Sequence, residues 1–124
     1  MSVEAPWHAH IYFSVTDRHE AAALRDRFAD DLRVLFTGRM IAEPVGPHPI
    51  PQYEIHFLTS ARDAVIALIE ASGLRALVHP LTGNDLADHT TLGHWIGEPL
   101  DLDATMLDPP GVNQGVARFG KADF

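Results

Sequence analysis

The fold class the sequence predicts is an α+β sandwich of the ferredoxin-like type, a four-stranded antiparallel sheet carrying two helices on one face. Three observations predict it. Two stretches, Trp7 to Val15 and Gln52 to Leu58, alternate apolar and polar residues with the period of a strand. Each is followed by helical spacing, and each helix by a further apolar run. The chain has 124 residues, one domain's worth, enough to bury a single core. The order is therefore strand, helix, strand, strand, helix, strand. It is read as one domain over residues 1–124, with 105–124 as an extended C-terminal tail.

In the first strand His8, His10 and Tyr12 fall on one side, Ala9, Ile11 and Phe13 on the other. Asp17, with Glu20 three residues on, has the form of a capping box. Ala21, Leu24, Phe28, Leu32 and Leu35 recur at helical spacing and predict a helix over Arg18 to Arg33. Val34 to Ile41 suits a short strand. Glu43 to Pro51 holds four prolines and a glycine, a stiff loop that carries His48. In the third strand Tyr53, Ile55 and Phe57 oppose Gln52, Glu54 and His56. Ser60 with Asp63 repeats the capping box, and Ala64 to Glu70 continue a helix that Gly73 ends. The apolar run from Leu74 reaches His79, where Pro80 predicts that the strand stops. Beyond Asn84 a loop and a short helical turn near Leu86 to Leu92 are expected.

Right-handed crossovers lead to the expectation that the first and third strands lie side by side and parallel, with the fourth antiparallel beside the first. His8, His10, His48, Glu54 and His79 then gather at one edge, because neighbouring strands are about 5 Å apart. Helices cover the apolar faces, so the histidine-bearing faces look the other way, onto an open face. A bare sheet face is commonly buried against another subunit, which points to a homodimer.

Composition narrows the chemistry. Nine basic against seventeen acidic residues leave a net charge of -8, which argues against nucleic-acid or anionic-membrane partners. There are no cysteines, so any metal would be held by histidine and carboxylate. No apolar stretch approaches the roughly 20 residues of a membrane span, and the first residues lack the pattern of a secretory signal. A cytoplasmic location is the default. Eight histidines in a chain of this length are the outstanding feature. Three of them, His79, His89 and His94, fall with Asp85 and Asp88 between Val78 and Trp95.

Imidazoles with a carboxylate and no thiolate form the ligand set of non-haem Fe(II), and Zn(II) is also compatible. Two histidines and a carboxylate leave cis positions for a catechol and O2. A histidine beside the ligands, His89 or His56, then serves as general acid or base. Blander readings stand beside these. His48 braces its loop, His89 and Asp88 orient a turn, and Glu54 is an exposed sheet carboxylate. His94 and Trp95 pack, and His19 is solvated.

Three motifs in this order, Trp7-His8-Ala9-His10-Ile11-Tyr12-Phe13, Gly46-Pro47-His48-Pro49, and Val78-His79-Pro80-Leu81-Thr82-Gly83 with Asp88-His89 and Trp95-Ile96-Gly97, resemble the DOPA 4,5-dioxygenase family. The resemblance covers roughly Trp7 to Asp101. It implies a small, often dimeric protein of ferredoxin-like fold that cleaves the ring of DOPA in the extradiol manner with non-haem iron and O2. His10, His48, His79 and His89 match the motif histidines. Three histidine ligands, or two histidines plus Glu54, remain equally open, and His8, Tyr12 and Trp95 are candidates for contacting the aromatic substrate. The competing reading is a non-catalytic dimer of this fold that binds a small aromatic ligand or a structural Zn(II).

Overall fold

The computed structural model describes residues 5–109 and 119–121. Strand β1 (Pro6–Tyr12) leads into helix α1 (Arg18–Ala29), β2 (Val34–Thr37) and β3 (Gln52–Leu58). A 3-10 turn (Thr59–Ala61) opens α2 (Arg62–Ser72), followed by β4 (Arg75–Pro80), α3 (Asp85–His89) and β5 (His94–Ile96). A second 3-10 turn spans Ala104–Met106. The predicted order of four strands and two helices is present, and it is extended. A fifth strand and a third helix make the fold an α+β one with a five-stranded sheet in the order β2-β3-β1-β4-β5, antiparallel throughout. Most of the tail expected over 105–124 lies outside the described residues.

The expectation of a parallel central pair is corrected. Strands β1 and β3 run antiparallel, with His8 opposite His56 and His10 opposite Glu54. Each helical crossover joins two parallel strands that are not neighbours, and the strand between them runs the other way. Reversing β3 changes which residues meet. His56, rather than Glu54, shares a row with His8 and His79, while Glu54 sits one row further along, beside His10.

Helix α1 stops at Ala29 rather than Arg33. The Asp31 carboxylate accepts hydrogen bonds from the backbone N–H of Arg33 at 2.9 Å and from its guanidinium at 2.7 Å. Aspartate competes in this way with helical bonding and closes a turn instead. Leu32, expected on the buried stripe, is consequently 95% exposed, and Leu35 is exposed too. Neither capping box forms. Asp17 holds the N-cap position, but its carboxylate accepts from the N–H and hydroxyl of Ser14. Ser60 lies within the 3-10 turn, so Ala61 stands at the start of α2. Gly73 ends α2 as expected, at φ 76, in the left-handed region that glycine enters freely. Strand β4 runs one residue past His79, pairing Pro80 with Trp7.

Both helices pack on the face made by Ala9, Ile11, Tyr53, Ile55, Phe57, Ala76 and Val78, through Leu24, Phe28, Val65 and Ile69. Burying each large side chain contributes about 1.5–3 kcal/mol. The opposite face carries His8, His10, Tyr12, Gln52, Glu54, His56, Leu77 and His79, and it is not open. All eight are buried, Glu54 being the most exposed at 4%. The loop bearing His48, helix α3 with His89, and the segment at Phe119 and Gly120 come over it. The chain's own segments thus cover the face expected to meet a second subunit.

Candidate metal centre

Strand alternation directs His8 and His10 to the covered face, and β4 adds His79 beside them. The loop before β3 supplies His48. Helix α3 supplies His89, with Asn84 as its N-cap, the side chain accepting from Ala87 N–H at 3.0 Å. The imidazole rings of His10, His79 and His89 lie with centroids 5.0, 5.9 and 4.2 Å apart, and that of His48 stands 4.1 Å from His10. Three overlapping groups have nitrogens or carboxylate oxygens within 4.8 Å of one another: His8 with His10 and His79, His10 with His48 and His89, and His8 with Glu54 and His56. Such clusters of histidine and glutamate are able to hold a metal ion.

The outer hydrogen bonds of the rings decide where the lone pairs point. A carbonyl oxygen only accepts, so a ring nitrogen facing one carries the hydrogen. Nδ1 of His79 donates to Pro80 O at 2.8 Å, and Nδ1 of His89 donates to Asp85 O at 2.8 Å. Nδ1 of His10 donates to Oε1 of Gln52 at 3.1 Å. In a neutral ring Nε2 then bears a lone pair. Outer partners of this kind orient histidine ligands in metal proteins.

Burial, and after it the neighbouring imidazoles, push His10 and His79 well below the ordinary histidine range, so both are neutral. Yet Nε2 of His10 lies 2.9 Å from Nε2 of His79. Two lone pairs at that distance repel unless a cation lies between them. Nitrogens about 2.1 Å from one ion and at right angles stand about 3.0 Å apart. The pair fits one edge of a coordination sphere.

His48 differs. Its Nδ1 lies 2.7 Å from the Tyr12 hydroxyl. Burial raises the Tyr12 phenol far above its ordinary value, and burial, then His89, pushes His48 down to about 3, so both are neutral. The hydroxyl therefore donates to Nδ1, which leaves the hydrogen of His48 on Nε2. His56 likewise accepts at Nδ1, from Gly120 N–H at 2.9 Å. Its Nε2 stands 3.3 Å from Glu54, and its ring stacks on His8 at 3.7 Å. Glu54 lies 3.8 and 3.9 Å from the Nδ1 atoms of His8 and His10. The structure thus brings His10, His48, His79 and His89 into one cage, with Glu54 and His56 grouped around His8.

Trp95 reaches the site through β5, its ring 6.0 Å from that of Tyr12 and nearly parallel at 18°. A cleft of about 220 Å³ opens there, lined by His89, Trp95, Leu100, Leu102 and Leu107. Asp88 accepts from the N–H and hydroxyl of Thr82 at 2.9 and 2.6 Å, which holds the turn before α3. His19 and His94 are exposed. Gln52 is the site residue that the sequence reading passed over; it appears there only as one of three polar residues on its strand face.

The fold and the site define a small α+β protein with a buried histidine centre able to hold a metal ion. The chain belongs to the Dopa 4,5-dioxygenase family, whose model matches residues 7–106. It is 35% identical over 114 residues to a DOPA 4,5-dioxygenase of Amanita muscaria, covering 82% of this chain and 49% of that one. It is 28% identical over 118 residues to an uncharacterized 21.2 kDa protein of Botryotinia fuckeliana, covering 85% and 64%. The chain therefore spans about half to two thirds of the length of these curated relatives. The crystal structure of a candidate dioxygenase from Nostoc punctiforme has a TM-score of 0.77 at 35% identity, covering 83% of this chain and 90% of that one.

Proposed function

We propose that this protein is a non-haem iron dioxygenase that opens the ring of DOPA or a related catechol in the extradiol manner, using O2. The observation that carries the reading is the meeting of two neutral Nε2 atoms, His10 and His79, at 2.9 Å within a member of the Dopa 4,5-dioxygenase family. His10 and His79 would hold the ion. The third nitrogen would come from His89, which groups with His10 and His48 and whose Nδ1 is fixed on a carbonyl in the same way. A bound Fe(II) would supply the electron transfer that joins catechol to O2; Zn(II) suits the same donors without that redox chemistry.

His48 takes the acid-base role, since its Nε2 hydrogen faces the cage and Tyr12 backs its Nδ1. This exchanges the roles that the sequence suggests for His48 and His89. Glu54 is the carboxyl behind His8, His10 and His56 rather than a ligand, and His56 acts with it rather than as the acid. Trp95 lines the cleft that would take an aromatic ring, Tyr12 stacks on Trp95, and His8 stands beside His79. The described residues fold as one unit built on a ferredoxin-like core, and a single cytoplasmic domain over 1–124 that pairs as a homodimer completes the reading.

The test is reconstitution with Fe(II) without air, followed by L-DOPA and simple catechols in air. Oxygen uptake with a yellow ring-opened product, both absent in His79→Ala, is expected. Tight binding of Zn(II) with no product from any catechol would establish the non-catalytic binding protein instead.

A further inference from the structure

We infer that Gln52 is the positioning residue that selects the tautomer of His10, and that its carboxamide turns over when the centre takes up metal. The inference rests on the metal-centre reading above. Gln52 is fully buried, and its backbone is held by Ile41 through two bonds, N–H to Ile41 O at 3.1 Å and O from Ile41 N–H at 2.9 Å. Only the side chain is left to move. Its Oε1 meets Nδ1 of His10 at 3.1 Å, while its Nε2 meets no acceptor among the described residues.

This arrangement carries two unfavourable contacts at once. The two N–H bonds of the carboxamide are buried without an acceptor, and the lone pairs of His10 and His79 face each other at 2.9 Å. A cation between the two nitrogens reverses the second contact, and its attraction offsets the first. Without a cation, a half-turn of the carboxamide removes the second contact and gives one of the two N–H bonds an acceptor. Nε2 of Gln52 then donates to Nδ1 of His10, the hydrogen of His10 moves to Nε2, and that hydrogen is donated to Nε2 of His79. What is left over is then one N–H and a carbonyl oxygen in place of two N–H bonds, and a carbonyl tolerates burial without a partner better than an N–H does. Glu54 is 3.9 Å from the same Nδ1, beyond hydrogen-bond reach, so Gln52 holds the choice. The metal-free centre is closed by a histidine-histidine hydrogen bond, and the loaded centre is opened by one amide.

The test uses the full chain and Zn(II) as the probe metal. Nitrogen-15 spectra of wild type should place the His10 hydrogen on Nε2 in the metal-free protein and on Nδ1 after zinc is added. Gln52→Met, nearly the same size but unable to accept, should weaken zinc binding about 10- to 100-fold in competition with a chelator. Gln52→Glu, which restores an acceptor, should recover most of that loss. A hydrogen on Nδ1 in both states, or equal affinity in wild type and Gln52→Met, overturns the inference. Should Gln52→Met fail to fold, the wild-type spectra decide alone. A wild type that takes up no zinc and no iron overturns the metal-centre reading beneath it, an outcome distinct from zinc uptake without a tautomer change.

Discussion

Nε2 of His10 and Nε2 of His79 lie 2.9 Å apart, on neighbouring strands, with both Nδ1 atoms committed to carbonyl oxygens. With both hydrogens on Nδ1 the contact is destabilising unless a cation lies between the two nitrogens. Replacing either ring should therefore separate folding from metal binding. His79→Ala removes one ligand. Metal affinity is expected to fall by more than the roughly 10- to 100-fold of an outer partner. The metal-free melting temperature should move by only a few degrees, since a typical substitution costs about 0.5–3 kcal/mol. Zinc or iron content equal to wild type in His79→Ala would remove it from the ligand set.

Tyr12 and His48 make a second, separable pair, joined at 2.7 Å. Tyr12→Phe deletes the donor that keeps the His48 hydrogen on Nε2. The metal should remain, because no ligand is touched. Catechol turnover should fall at least about tenfold, a fraction of the 10²–10⁴ typical of general acid-base catalysis, and His48→Ala should fall further. Loss of metal from Tyr12→Phe, measured by elemental analysis, would instead place His48 among the ligands.

Glu54 offers a test between two readings that the sequence leaves equal. As a ligand, its loss would resemble that of His79. As a buried carboxyl 3.8, 3.9 and 3.3 Å from His8, His10 and His56, it orients rings that bind. Glu54→Gln should then keep the metal with an affinity about 10- to 100-fold weaker. A loss as complete as that of His79→Ala would return Glu54 to the ligand set.

Much of this site is legible in the sequence, for reasons that can be named. The alternation over Gln52 to Leu58 marks β3 to the residue, since one face must meet the helices and the other must not. The same alternation puts His8 and His10 on one face, whatever the order of the strands. Strand direction is not legible that way. The side-chain pattern of β3 reads the same parallel or antiparallel, so whether Glu54 or His56 shares a row with His8 depends on packing. Strand β5, three residues long, is too short to show a period. The end of α1 is set by Asp31 capturing Arg33, a local competition that apolar spacing over Leu32 and Leu35 does not register. Gln52 gains its partner from side-chain reach across two strands, which a linear pattern cannot express.

Acid should destabilise the metal-free protein earlier than an ordinary domain. Burial is the first cause of the lowered values of His10 and His79, and of His48 at about 3, with neighbouring imidazoles second. Above about pH 6.5 these rings are neutral whether the chain is folded or not, and they add no pH dependence. Below it the unfolded chain takes up protons that the fold refuses. Stability then falls by about 1.4 kcal/mol per pH unit for each such histidine, down to its folded value. Three of them remove about 4 kcal/mol per unit, against a usual total of about 5–15 kcal/mol. Asp88 works the other way. Burial raises its folded value, so its contribution is present in acid and is lost as pH rises through that value. The melting temperature, taken with chelator present, should be level from about pH 8 to 7 and drop steeply from about pH 6.5 to 5. His48→Ala should show a shallower drop over the same range. A wild-type melting temperature unchanged at pH 5 would mean that the cage admits protons, and the neutral-imidazole account of the centre would fall with it.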